Sequence, residues 1–145
     1  MTEQQKDLLV KDLCARLRYG VKVKIYDKEI LNYGEGEIGI IDGKEVSEDD
    51  YFTIKAKTDR WIISIDEFKP YLRPMSNMTE EERNEWTSLM RKEHREAYPN
   101  SAIDTSYYEY FPTPESFDYL IENMFDYRGL IPKGLALEAQ EGMYK

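Results

Sequence analysis

The apolar positions change period early in the chain. Leu9, Val10, Leu13, Cys14 and Leu17 fall on one face of a helix. Thr2 with Gln5 three residues later has the form of a capping box. Gly20 suits the left-handed position that follows a helix end. The pattern predicts a helix over residues 3–18. The period then drops to two, as Val21, Val23 and Ile25 alternate with Lys22, Lys24 and Tyr26. Further strands are predicted near Glu29–Tyr33, Glu37–Ile41, Tyr51–Lys57 and Trp61–Ile65, with Phe52, Ile54 and Ala56 facing inward together. Turn signals separate them at Gly34-Glu35-Gly36, Asp42-Gly43, Ser47-Glu48-Asp49-Asp50 and Thr58-Asp59. Strands this short predict a small curled antiparallel sheet or an SH3-like barrel of about five strands.

The second half reads as mainly helical. Pro70 and Pro74 forbid a long helix, so a short turn and an extended linker are expected from Asp66 through Met78. Thr79 and Glu82 form a second capping box, and Glu80, Glu81 and Glu82 lie where a helix dipole favours negative charge. That helix is expected to run to about Tyr98, before Pro99, with Trp86, Leu89, Met90 and Ala97 as its apolar stripe. Residues 99–112 read as a long loop. Thr113-Pro114 opens a third helix, in which Phe117, Leu120, Ile121 and Met124 follow helical spacing. Leu135–Ala139 reads equally as a strand or a helical turn. The expected fold class is α+β in a single domain, 1–145. Residues 1–72 form a helix plus curled sheet, and residues 73–145 form a mainly helical part packed on it.

Composition supports a folded chain. Its 145 residues are 41% hydrophobic and 13% aromatic, including twelve Tyr, which a disordered segment would lack. A chain of this length buries roughly 68–70% of its unfolded surface, so no disulfide or metal is required. Cys14 is the single cysteine. Met1–Lys11 has no apolar signal region, and no stretch reaches membrane-spanning length, so a cytoplasmic location is expected. The net charge of −9 is unevenly placed: residues 1–28 carry +3, 29–69 carry −6, 70–100 carry −1 and 101–145 carry −5. An acidic whole argues against broad binding of a phosphate backbone, with the N-terminal part a local exception.

Three stretches carry a resemblance. They are Lys11-Asp12-Leu13-Cys14-Ala15-Arg16-Leu17 running into Tyr19-Gly20-Val21-Lys22-Val23, then Lys69-Pro70-Tyr71-Leu72-Arg73-Pro74-Met75 with Met78-Thr79-Glu80-Glu81, and Phe125-Asp126-Tyr127-Arg128-Gly129-Leu130-Ile131 with Gly134-Leu135-Ala136. In this order and spacing the chain resembles a family of uncharacterised proteins common in prophages and conjugative elements of gut anaerobes. Residues 29–66 and 95–112 are the least similar. The resemblance implies a genomic setting, an accessory protein of a mobile genetic element, and no mechanism or catalytic residue.

Enzyme chemistry finds little support. His94 is the only histidine, with no evident partner to position it as a base, and reads as a partly buried structural residue. Cys14 lies on the predicted apolar face, where a thiol behaves as a small hydrophobe. One Cys and one His cannot build a structural zinc site. Glu48, Asp49 and Asp50, with Asp42 and Glu45 nearby, lack the spacing of a calcium loop. Gly34, Gly36 and Gly39 lead into no helix N-terminus and make no phosphate cradle. The reading is a non-enzymatic protein with no metal and no cofactor.

Two segments suit contact. Tyr107, Tyr108, Tyr110 and Phe111 are the candidate surface for an unidentified protein partner, because tyrosine joins apolar area to a polar tip. The plainer reading packs these rings onto the core. Arg16, Arg18, Lys22, Lys24 and Tyr26 are the candidate nucleic-acid contacts, as cations interleaved with aromatics can hold a single strand. Their plainer reading is the wet face of a half-buried strand, and it is favoured. A third possibility is an inhibitor whose acidic surface imitates nucleic acid. Protein contact is the leading expectation.

Overall fold

A computed structural model of the chain describes residues 1–26, 38–46, 52–57, 65–96 and 106–144, with backbone alone over 38–46, 52–57, 95–96 and 106–107. Helix α1 spans Glu3–Arg16 and begins with the expected capping box of Thr2 and Gln5. A 3-10 turn, Leu17–Tyr19, follows, and Gly20 closes it at φ 70°, a conformation open to a residue without Cβ. The buried face of α1 is Leu9, Asp12, Leu13 and Arg16. Cys14 is exposed, off the apolar face on which its spacing put it. Hydropathy misses this face because half of it is an ion pair.

Strand β1, Lys22–Ile25, buries Val23 and Ile25 and leaves Lys22 and Lys24 half-buried, as the alternation predicts. Strand β2 is Ile38–Val46 and β3 is Phe52–Lys57. Asp42-Gly43 does not turn the chain. It lies within β2, where the pairing with β3 shifts register between Ile41 and Gly43, so the turn-forming pair serves as a bulge in one long strand. The predicted strand Glu29–Tyr33 lies outside the described residues, as do the acidic segment 47–50 and the predicted strand Trp61–Ile65 except for Ile65, which belongs to a 3-10 turn. The side chains of Phe52, Ile54 and Ala56 lie outside them too.

The expected linker contains a core strand. After a 3-10 turn at Ile65–Glu67, β4 runs Phe68–Leu72 with Phe68, Pro70, Tyr71 and Leu72 buried. Pro70 faces Val23 of β1. The Tyr26 amide donates to the Glu67 carbonyl at 2.7 Å. Antiparallel pairs alternate between hydrogen-bonded and not, so Pro70 falls at a position whose N–H would point away from β1. On that other side, the neighbouring strand begins only at Tyr71. The missing proline donor therefore costs no ladder bond.

The sheet corrects the expected architecture. Its order is β3-β2-β1-β4-β7, where β7 is Leu137–Glu138 and runs parallel to β4. It is a small, mixed, open sheet, neither curled antiparallel nor an SH3-like barrel. Closure needs the edge strands to pair, and one edge is β3 while the other is a two-residue parallel strand. The α+β class stands, with an N-terminal helix and helices in the C-terminal part.

Helix α2, Glu80–Ser88, starts at the Thr79–Glu82 capping box but is much shorter than expected. Arg91–Glu96 is strand β5, paired antiparallel with β6, Ser106–Phe111. What reads as the end of a helix and a long loop is a two-stranded ribbon. Helix α3, Pro114–Glu122, opens with Thr113 as cap and proline at its first position, as predicted. It ends with a left-handed Met124 (φ 62°), where the Phe125 amide reaches back to the Leu120 carbonyl at 2.8 Å and that of Met124 to Ile121 at 3.1 Å.

Arg16 ties the halves together. It pairs with Asp12 (Nε to Oδ2, 2.8 Å) and donates to the carbonyls of Phe125 at 2.7 Å and Ile121 at 3.2 Å. A cation thus meets the carbonyl end of α3, the favourable polarity for a helix C-terminus. The larger core joins Leu9 and Leu13 to Val21, Val23, Ile25, Phe68, Leu72, Met124, Leu130 and Leu135. A second, smaller cluster holds Met78, Leu120 and Phe125.

Candidate functional site

The ribbon sorts its side chains onto two faces. Register places Lys92 opposite Tyr110 and His94 opposite Tyr108, so these four share one face. The Lys92 ammonium sits 3.9 Å from the Tyr108 ring centroid and 5.9 Å from that of Tyr110. The His94 ring meets Tyr108 edge-on, with centroids 5.4 Å apart. Tyr108 is 56% exposed and Tyr110 46% exposed. On the opposite face, Arg91 lies 5.3 Å over Phe111 and pairs with Glu93 at 2.9 Å.

Cation–π and cross-strand aromatic pairs hold such a surface in one arrangement without burying it. The tyrosines therefore do not pack a loop onto the core. Tyr108 and Tyr110 stand on a strand, about half exposed to solvent. His94, expected to be partly buried, is exposed on the same surface. The side chain of Tyr107 lies outside the described residues, and its register position opposite Arg95 puts it on the other face.

The basic segment does not come together. Arg16 is fully buried, so it offers no cation to solvent. Lys22 turns to the C-terminal tail, donating to the Met143 carbonyl at 2.8 Å with its ammonium 5.8 Å from the Tyr144 ring. Arg18 lies over Tyr19 at 5.3 Å, and Lys24 over Tyr26 at 5.5 Å. What remains of the strand face is the half-buried Lys24 beside the exposed ring of Tyr26.

A cleft of about 710 Å³ opens between the start of α2 and the C-terminal tail, lined by Arg73, Asn77, Thr79, Glu82, Glu138 and Tyr144 among others. Its polar groups are engaged with one another. Arg73 grips Glu82 through two bonds of 2.7 Å, which pulls the Glu82 carboxyl down to about 2. Asn77 reaches Glu138 at 3.4 Å, and the Tyr144 hydroxyl is held by the sheet. Nothing in it converges on an absent ligand. Among the described residues, no three His, Cys, Asp or Glu side chains gather to hold a metal ion. No described helix is long and apolar enough to cross a membrane.

No family model, curated protein or solved structure matches this chain. The resemblance to proteins of prophages and conjugative elements gains no support from these comparisons, and an association with mobile elements is unsupported. The functional reading rests on the ribbon. The aromatic residues of the ribbon are legible in the sequence, while Lys92 and His94 are not evident there as their companions. The available signal was the β-propensity of Ser-Tyr-Tyr-Glu-Tyr-Phe, which reads as strand more readily than loop.

Proposed function

We propose that this protein is a non-enzymatic binding protein of the cytoplasm that contacts a partner protein through the β5–β6 ribbon. The observation that carries the reading is the exposure of Tyr108 and Tyr110 side by side on one ribbon face, braced by Lys92 and His94. Rigid tyrosines lose little conformational freedom on binding and offer both apolar area and hydrogen bonds. A nucleic-acid strand is a poorer fit. Lys92 is the one permanent cation among the described side chains of that face, and the chain carries −9 overall.

The test is site-specific photo-crosslinking. Benzoylphenylalanine replaces Tyr108, Tyr110 or, as a control on α3, the exposed Glu115. Each protein is irradiated in nuclease-treated lysate of the native host. A discrete protein adduct at the two ribbon positions and none at the control is the expected result. Adducts of equal yield at all three positions, or none at the ribbon, overturn the reading.

A further inference from the structure

We infer that the partner docks as an extended, carboxylate-bearing segment that adds a strand along the outer edge of β5. The inference rests on the ribbon being a binding surface, and it names the mode and the chemistry. Among the described residues, β5 pairs with β6 alone, so its other edge presents backbone donors and acceptors without a neighbouring strand. A six-residue strand, Arg91–Glu96, gives room for an extended segment of about 20 Å. Strand addition supplies main-chain hydrogen bonds, and side chains at alternate positions supply the selectivity.

Charge selects the occupant. Residues 91–96 carry three Lys/Arg and two Asp/Glu in a chain that is otherwise acidic. Arg91 is paired with Glu93, whereas Lys92 rests on tyrosine rings. A ring face neutralises no charge, and an ammonium held over one keeps N–H donors for a carboxylate. A strand laid beside β5 sets its alternate side chains directly opposite Lys92 and His94 on the tyrosine face. On the other face the row is Arg91, Glu93 and Arg95, with Arg91 and Glu93 already paired, and Glu96 follows His94 on the tyrosine face. A carboxylate placed opposite Lys92, clear of the Glu93 and Glu96 positions, matches this edge. A basic segment would set like charges opposite each other, which is destabilising.

The experiment is selection of random dodecapeptides displayed on phage against the full chain. Enriched peptides are expected to share an Asp or Glu at one fixed position, the one that falls opposite Lys92. Against Lys92→Glu with Arg95→Glu, a selected synthetic peptide should bind about tenfold more weakly or worse. N-methylation of alternate peptide nitrogens should abolish binding when it falls on one edge of the strand and leave it intact on the other. Enrichment of neutral or basic peptides overturns the inference, as does indifference to the charge reversal. Binding insensitive to N-methylation on both edges excludes strand addition, as does the absence of any enriched peptide. If crosslinking from Tyr108 persists in those cases, the ribbon remains a binding surface by another mode. Preferential binding of an oligothymidylate probe overturns both.

Discussion

The hydroxyl of Tyr144 stands in the sheet ladder opposite the amide of Lys22. It accepts the Lys22 N–H at 2.9 Å and donates to the Tyr71 carbonyl at 2.8 Å. The alternation that makes Tyr26–Glu67 a hydrogen-bonded pair makes Lys22–Tyr71 one as well, and the phenol enters there in place of a direct bond. The C-terminal tail is thereby joined to both β1 and β4.

Burial raises the Tyr144 phenol to about 12, against an opposing contribution from the Lys22 amide. The neutral form is the folded one, so the stabilisation is complete below pH 10 and is lost as pH rises from 10 to about 12. Tyr144→Phe should cost roughly 1–3 kcal/mol at neutral pH, because two backbone groups lose a partner. Urea denaturation from pH 8 upward checks this. The difference between wild type and Tyr144→Phe should shrink across the alkaline window, and a difference constant with pH would contradict it.

The buried pair Asp12–Arg16 gives a second expectation. Arg16→Met removes the cation from a buried carboxylate and takes the guanidinium donor from the Phe125 and Ile121 carbonyls, which keep only the Tyr127 and Met124 amides. A loss of about 3–5 kcal/mol is expected. Arg128 tempers it, with its Nε 3.4 Å from Asp12 Oδ1 without hydrogen-bond geometry. The double change Asp12→Leu with Arg16→Met should be milder than Arg16→Met alone, since no charge is stranded. Thermal melts of the three proteins decide it.

Acid should weaken the contact between the α2 N-terminus and the Arg73 region. Glu82 is held down to about 2 chiefly by hydrogen bonds from Arg73, so its stabilisation is present above pH 4.5 and is lost as pH falls from 4.5 toward 2. Glu82→Gln should lower stability at neutral pH and flatten that acid limb. Denaturant midpoints between pH 2 and 6 measure both, and an unchanged limb would remove Glu82 from the account.

These contacts also show why parts of the fold could be read from sequence and others could not. The starts of α1, α2 and α3 are local events, each written in a capping residue and its partner three positions on, and all three are where the sequence puts them. The end of α2 is not local. No Gly or Pro marks it, and the Leu89 carbonyl is taken by the hydroxyl of Thr113, far along the chain. Strand β4 is hidden by Pro70, which is harmless only because of the register that tertiary pairing selects. The candidate surface was half legible for the same reason. Tyr108 and Tyr110 announce themselves by type, while Lys92 and His94 join them only once β5 is known to be a strand.

The ribbon itself supports the last prediction. Its two strands pair only with each other among the described residues, and a two-stranded ribbon alone is marginally stable in water. Thr113 anchors its base, since the hydroxyl that reaches Leu89 also accepts the Ser116 amide at 3.2 Å as the cap of α3. Amide exchange should therefore be faster across 91–96 and 106–111 than at the buried strand residues Val23, Ile25, Phe68 and Leu72. Thr113→Val removes both bonds. It should cost about 0.5–2 kcal/mol through loss of the cap and lower ribbon protection further than core protection. Tyr108→Ser with Tyr110→Ser touches neither and should leave core exchange unchanged while lowering protection of the ribbon alone. Exchange followed residue by residue separates these outcomes. Equal protection of ribbon and core in the wild type would mean that the ribbon opens only when the whole domain unfolds.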